Sequence, residues 1–271
     1  MQNKLELPTV LETYREVLEK TVRPYIHITA RKGSTTLFQS KFGGKPYLPL
    51  TVDHPVDENG NPMMLLAQLN FEELPRLEFF PESGILQLFI SYDDDLWGLN
   101  FDDPTNQKNF RTVYYPVLMN DESSLVTQFS HIDEINGKEM YTPITEEYQL
   151  SYQLKYEAVS SGDHRFERFT SGKINLDSEV EVDGEMSDMW EHVVDALSAW
   201  EHKVGGYPAF TQEDPRYRHS DYDILLLQIV SDDSEGNDIM WGDFGVGNWF
   251  IKKKDLLNQN FSKVLYNWDC C

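Results

Sequence analysis

Cysteine is almost absent from the sequence, because the only two, Cys270 and Cys271, are the last residues of the 271-residue chain. This excludes a disulfide framework, and so few cysteines suit a reducing compartment. Long apolar runs are also absent, since no stretch approaches the roughly 18 apolar residues of a membrane helix. The first residues lack the apolar segment of a signal peptide. We therefore expect a cytoplasmic protein without a membrane partner.

Basic residues are scarce relative to acidic ones. The chain has 23 lysines and arginines against 46 aspartates and glutamates, which gives a formal charge of −23. Nucleic acid is therefore disfavoured as a partner, because phosphate contacts need a basic face. Two interpretations of the excess acid remain open. It forms a solvated surface that keeps the protein soluble, or it forms an acidic face for a basic partner protein or for metal ions.

Motifs for nucleophilic catalysis, nucleotide binding and calcium binding are missing. There is no Gly-x-Ser-x-Gly elbow and no Gly-x-Gly-x-x-Gly loop. A calcium loop counted from Asp232 places Asn237 at its sixth position and Asp243 at its twelfth, where glycine and glutamate are required. The acidic run at 93–95 and 102–103 is best interpreted as a solvated loop. The sequence thus predicts no metal site and identifies no cofactor.

Two stretches of the chain repeat one pattern. The first contains Gly43-Gly44, a glutamine within an apolar run at Gln68, and a glycine-led run at residues 84–90. The second contains Gly205-Gly206, Gln228 and the run at residues 245–251. Successive spacings are 25, 16 and 6 residues in the first stretch and 23, 17 and 6 in the second. This agreement predicts an internal duplication, with repeats at about 43–91 and 205–252.

Apolar periodicity indicates strands and two helices. Strands are predicted at 25–29, 63–69, 84–90, 113–117, 148–159, 224–230 and 245–251. The capping-box pattern Thr9–Glu12 introduces an amphipathic helix of about four turns. A second helix is predicted from Asp188 to Val204, with Trp190 and Trp200 on its buried stripe and Gly205 ending it.

We predict from these patterns an α+β fold that is mainly antiparallel β, with the two amphipathic helices packed on the sheet. The strands predicted between residues 110 and 160 interrupt the repeats. Residues 1–271 are therefore expected to form a single compact domain. Apolar residues make up 40% of the chain, which is enough for a packed interior.

Five residues are candidates for binding a ligand or partner. Gln68 and Gln228 occupy equivalent places in apolar strands, so each amide either ties a neighbouring loop to the sheet or converges with its counterpart on a ligand. The segment containing Trp241, Asp243 and Asn248 occurs only in the second repeat. Asp243 lies between aromatic residues that would desolvate it, although an aspartate beside glycines more often caps a turn.

One histidine lies within a predicted strand. His27 is interpreted as structural, because no second histidine or acid is spaced to join it. No catalytic residue is assigned from the sequence.

Several segments resemble the YwqG-like family of bacterial proteins. They are residues 43–49, 65–70, 84–87, 225–229 and 241–243, and the resemblance extends over essentially the whole chain. It implies a soluble bacterial cytoplasmic protein with a mixed α/β fold. It implies no activity and no catalytic residues, because the family is one of unknown function.

The function expected from the sequence is non-enzymatic binding, in which the acidic surface meets a basic protein. One specific form is a neutraliser of a basic toxin or nuclease. The alternative is an enzyme that uses Asp243 and nearby acids, with a divalent cation as a further option. A deep pocket lined by the candidate residues would favour a ligand or substrate, whereas a flat acidic face would favour a protein partner.

Overall fold

A computed structural model describes residues 5–92, 94–119, 121–130 and 142–271. Asp93, in the acidic run considered above, lies outside these residues. The strands, numbered in chain order, are β1 (Arg23–Lys32), β2 (Lys41–Phe42), β3 (Met64–Asn70), β4 (Ile85–Ile90), β5 (Phe110–Tyr115), β6 (Tyr148–Glu157), β7 (Glu179–Val182), β8 (Glu185–Asp188), β9 (Lys203–Gly205), β10 (Ile224–Val230), β11 (Gly245–Ile251) and β12 (Leu265–Cys270).

Ten strands form one antiparallel sheet in the order β12-β11-β10-β9-β1-β6-β2-β3-β4-β5, and β7 pairs with β8 separately. The long strands β1 and β6 pair at the centre over ten residues each. β1 also pairs with β9 from the C-terminal half, while β6 pairs with β2 from the N-terminal half. Each half of the sheet therefore includes a strand from the other half of the chain.

The sheet curls into a half-barrel, and residues 96–107 connect its two edge strands. The backbone N–H of Tyr266 in β12 donates to Pro104 O at 2.9 Å. The indole N–H of Trp268 donates to Leu96 O at 2.7 Å. The ring of Phe110 in β5 lies 5.2 Å from that of Tyr266, between centroids. The main apolar core lies within this curl, and strands β3, β4, β10 and β11 are almost wholly buried.

The N-terminal helical segment is shorter and less regular than predicted. Residues Thr9–Tyr14 form a 3₁₀-helix, and only Arg15–Glu19 are α-helical. The residue before the first turn is Pro8 and no side chain caps it, so the predicted capping box is wrong. Glu12 instead forms a bidentate ion pair with Arg15.

The second helix spans Met189–Leu197, so the prediction that it continues to Val204 is wrong. Val204 lies in β9, where it is paired with Ile26 of β1. Sheet pairing therefore overrides the helical periodicity of this segment. Trp190 is 55% exposed and does not anchor the core.

The two helical segments share a second apolar cluster. Leu11 and Leu18 from the first pack with Val193 and Leu197 from the second. Val159, just after β6, packs in the same cluster. The helices therefore bury their apolar side chains mainly against each other and the chain beyond β6, rather than covering a face of the sheet as predicted.

Two other short helices, Phe166–Phe169 and Lys253–Leu257, lie in the C-terminal half. Within the residues that the structure describes, no helix has the length and apolar character needed to cross a bilayer.

Candidate functional site

The Gln68 side chain fixes two loops to the sheet. Its Oε1 accepts from the Tyr47 backbone N–H at 2.8 Å. Its Nε2 donates to the carbonyls of Leu37 and Gln39, both at 2.8 Å. Gln87, opposite Gln68 in β4, donates to Gln68 Oε1 at 2.8 Å and to Tyr47 O at 2.7 Å. The amide of Gln68 is fully buried, and its hydrogen bonds are made within the fold.

Gln228 and Asn248 form a similar arrangement in the other half of the sheet, although Asn248 donates to the loop carbonyl only and not to the opposite glutamine. Gln228 Oε1 accepts from the Ala209 N–H at 2.7 Å, and its Nε2 donates to Ala199 O and Glu201 O at 2.9 Å. Asn248 lies opposite in β11 and donates to Ala209 O at 2.9 Å. β10 and β3 are separated in the sheet by β9, β1, β6 and β2. Each amide is therefore committed to the loops of its own half.

Trp241 and Asp243 lie in contrasting environments. Trp241 is fully buried, and its ring lies 5.8 Å from Trp97 and 6.1 Å from Trp249, between centroids. Its indole N–H has no hydrogen-bond partner among the described residues. Asp243 is exposed, so its aromatic neighbours do not desolvate it. The structure does not unite Gln68, Trp241 and Asp243 in one cavity.

The loop held by Gln228 brings an acid to His27. Glu201 Oε2 lies 3.2 Å from His27 Nδ1 and accepts from the Tyr25 hydroxyl at 2.5 Å. Glu201 Oε1 lies 3.2 Å from Lys155 Nζ. No local sequence pattern indicates this cluster, because His27 and Glu201 are 174 positions apart and meet only through the pairing of β1 with β9.

Glu201, Tyr25 and Lys155 of this cluster border a cleft of about 820 Å³. Its wall includes Tyr25, Lys155 and Trp200. Glu157, also on the wall, accepts from Lys203 Nζ at 2.8 Å and from the Tyr207 N–H at 2.6 Å. Burial raises the pKa of Glu157, although the Lys203 ammonium opposes this. Glu157 and Glu201 are thus already bound to donors within the fold.

We expect the Glu201 carboxyl to titrate at about 2. Burial alone would raise its pKa, but hydrogen bonds from His27 and Tyr25 and the charges of His27 and Lys155 lower it. Tyr25→Phe should raise this pKa, because it removes a donor to the ionised form. Titration of the ¹³C carboxyl signal of Glu201 measures its pKa in the wild type and in Tyr25→Phe. Tyr156→Phe, which alters an exposed hydroxyl, is the control, and a wild-type midpoint near 4.3 would contradict the assignment.

A ladder of four buried charged side chains joins two loops. Arg165 donates to Asp163 through Nε at 2.7 Å and Nη2 at 2.6 Å. Arg216 Nη2 donates to Asp163 at 2.9 Å and to Asp214 at 2.6 Å. We call these four residues the charge ladder. A local signal for it exists in the sequence, because the pattern Asp-x-Arg-aromatic occurs at 163–166 and again at 214–217.

Asp163, His164 and Asp214 have potential ligand atoms within 4.8 Å of one another. Both carboxylates are already bound to guanidinium groups of the charge ladder. A cation placed there would meet the charges of Arg165 and Arg216. The arrangement therefore fits an internal ion-pair network better than a metal centre.

The acidic arm, residues 177–191, carries seven acids and no lysine or arginine. It comprises the β7–β8 hairpin and the start of the helix Met189–Leu197. All seven carboxylates are exposed, and none has an ion pair among the described residues; they are Asp177, Glu179, Glu181, Asp183, Glu185, Asp188 and Glu191. Met186 and Trp190, 61% and 55% exposed, lie among them.

Comparison with known families gives one match. The model described as a domain of unknown function (DUF1963) matches residues 40–270, which is most of the chain. No curated protein matches the sequence.

Proposed function

Because the chain belongs to the DUF1963 family, whose description assigns no activity, we propose its function from its surface. The protein is a non-enzymatic binding protein whose acidic arm meets a basic protein partner. The single observation that carries this proposal is the set of seven exposed, unpaired carboxylates around an exposed tryptophan.

Electrostatic and apolar features of the acidic arm support this proposal together. Unpaired charges of one sign attract an oppositely charged partner and accelerate its association. Charge alone supplies little affinity, whereas a tryptophan that becomes buried at an interface often contributes much of the binding energy. Trp190 and Met186 provide such an apolar centre within the acidic rim.

The buried and half-buried acids favour binding over catalysis. Glu201, Glu157 and Asp163 each accept hydrogen bonds from side chains of the fold. Asp243, the acid proposed for the enzymatic alternative, is exposed. Neutralisation of a basic toxin or nuclease is one specific form of the binding function, and the acidity of the chain supports it.

Two finer features belong with this proposal. The matching hydrogen bonds of Gln68 and Gln228 support an origin of the two halves by internal duplication. Membership of the YwqG-like group within the family rests on the sequence resemblance.

We expect removal of four arm charges to weaken partner binding by at least about tenfold. The variant changes Glu179, Glu181, Glu185 and Glu191 to glutamine. A matched variant changes four exposed acids elsewhere, Asp53→Asn, Glu72→Gln, Asp102→Asn and Asp233→Asn. Tagged proteins are used in pull-downs from native lysate at low and high salt, and the Kd of the purified partner is then measured.

The proposal requires a stoichiometric partner of high isoelectric point that the wild type and the matched variant capture. The arm variant should bind it at least about tenfold more weakly, and Trp190→Ala should weaken it by a similar factor. Absence of a stoichiometric partner, or equal binding by both charge variants, would rule out the acidic arm as the interface.

A further inference from the structure

A second cavity, of about 270 Å³, lies between residues 77–80 and the Gly205-Gly206 turn. Its apolar lining is Leu77, Phe79, Phe80, Ile224 and Leu225. Gly205 has φ +74°, and a Cβ there would lie 2.5 Å from Leu77 Cδ2. Glycine at this position therefore allows the 77–80 segment to approach and form the wall.

Two cations of this cavity are held by aromatic rings rather than carboxylates. The Arg23 guanidinium carbon lies 3.9 Å from the centroid of the Tyr207 ring. Lys253 Nζ lies 3.6 Å from the centroid of the Phe79 ring. Among the described residues, neither cation has a carboxylate within ion-pair distance. Ring contacts orient a cation but leave its N–H donors available.

A third cation, Arg165, is held rigidly at the cavity wall. Asp163 binds its Nε and Nη2, which leaves Nη1 without a hydrogen bond to the described chain. The bidentate contact fixes the guanidinium plane, so little conformational entropy remains to be lost when a ligand accepts from Nη1.

Two carboxylates, Glu78 and Asp223, also line the cavity. Asp223 Oδ1 accepts from the Lys253 backbone N–H at 3.4 Å, and the structure shows no ion pair for either acid within its described ranges. The cavity therefore presents donors for an anion, acceptors for an ammonium group and an apolar wall in one space.

We propose that this cavity binds a small carboxylate that has an apolar body. Within this class, an apolar α-amino acid contacts every part of the lining. The carboxylate accepts from Arg23, Arg165 and Lys253. The amino group donates to Asp223 or Glu78, and the side chain packs against Phe79 and Leu77. The site shares no residue with the acidic arm, so this ligand would be bound independently of the protein partner.

The test is calorimetric titration of the full chain with L-phenylalanine and, separately, with phenylacetate, which lacks the amino group. We expect saturable one-to-one binding, with shifts of the Gly205 and Gly206 amide signals in ¹⁵N NMR spectra. Tighter binding of L-phenylalanine supports the role of the two carboxylates, and equal binding supports a general carboxylate site. Failure of both probes to saturate at millimolar concentration would overturn the proposal.

Variants identify the cavity as the binding site. Lys253→Gln and Arg23→Gln should each weaken binding of the better probe by about tenfold, since each removes a charge-assisted contact. Lys254→Gln, one residue away from Lys253 and outside the lining, should leave binding unchanged. If Arg23→Gln does not fold, the Kd of the probe for Lys253→Gln still tests whether the ligand binds in this cavity. Equal Kd values for Lys253→Gln and Lys254→Gln would place the ligand elsewhere and refute the assignment.

Discussion

Replacing Asp163 with alanine is expected to lower the free energy of unfolding by about 3–5 kcal/mol at neutral pH. Asp163 is 2% exposed and accepts from both Arg165 and Arg216 in the charge ladder. The substitution leaves the buried Arg165 without its hydrogen-bonded carboxylate and the buried Arg216 with Asp214 alone. Arg216 is 1% exposed, and its Nη1 already lacks a partner among the described residues. Urea unfolding monitored by tryptophan fluorescence measures the change.

The control for this prediction is an exposed pair of the same chemistry. Glu82→Ala removes the partner of Arg76, and the side chains of these residues are 64% and 81% exposed. Glu82→Ala should lower the free energy of unfolding by less than about 1 kcal/mol, because solvent already screens the pair. Equal losses in the two variants would show that the charge ladder is not the stabilising feature that its burial indicates.

The effect of Asp163→Ala should depend on pH with a defined sign. Burial alone would raise the pKa of Asp163, but hydrogen bonds from Arg165 and the charges of Arg216 and Arg165 hold it well below its usual range. A carboxyl with a lowered folded-state pKa stabilises the protein above its unfolded pKa of about 3.9 and loses that contribution as the pH falls further. The difference between wild type and variant should therefore narrow below pH 4.

Replacing Gln68 with leucine is expected to cost more than about 3 kcal/mol of unfolding free energy. The change removes the acceptor of the buried Tyr47 N–H and the donor to the part-buried carbonyls of Leu37 and Gln39. Each buried polar group left without a partner costs about 1–3 kcal/mol. Gln228→Leu removes three equivalent bonds and should have a similar effect. Denaturant unfolding gives both values.

Hydrogen exchange of the Tyr47 amide separates the loss of this hydrogen bond from a general loss of stability. Its protection should fall more than that of the amides in β10, which lies in the other half of the sheet. Gln153→Leu is the control, because Gln153 is exposed on β6 and its amide makes no hydrogen bond within the described residues. Gln153→Leu should change the free energy of unfolding by no more than about 0.5 kcal/mol. Equal destabilisation by Gln68→Leu and Gln153→Leu would contradict the structural role.

Local patterns in the sequence determined most of the sheet. The apolar runs at 224–230 and 245–251 coincide with β10 and β11, because a short run buried on both faces has few alternatives to a central strand. The repeated glycine and glutamine spacings likewise identified the two positions where amides hold loops. The strands and the two amide positions were predictable because the strands depend on short segments of sequence and the amide positions on a spacing that recurs along the chain.

The helices were predicted less well, because their ends depend on contacts with distant residues. The stripe from Trp190 to Val204 is helical in spacing, yet pairing of Lys203–Gly205 with β1 ends the helix at Leu197. The Thr9–Glu12 capping box does not form either, but there the competing contact is local, the ion pair of Glu12 with Arg15. Intrinsic helix preferences are worth less than 1 kcal/mol per residue, so tertiary contacts outweigh them.

The sequence by itself determined the acidic charge of this protein, its strands and the two glutamines that fasten its loops. Only the tertiary structure decided where charged groups meet. It brought Glu201 to His27, enclosed Asp163 between two arginines and left Trp190 exposed beside the acids of the arm. The physical reason is that charge and periodicity belong to residues and short segments. Burial and ion pairing instead depend on which strands, distant in the sequence, pair with each other, and no local sequence pattern specifies that pairing.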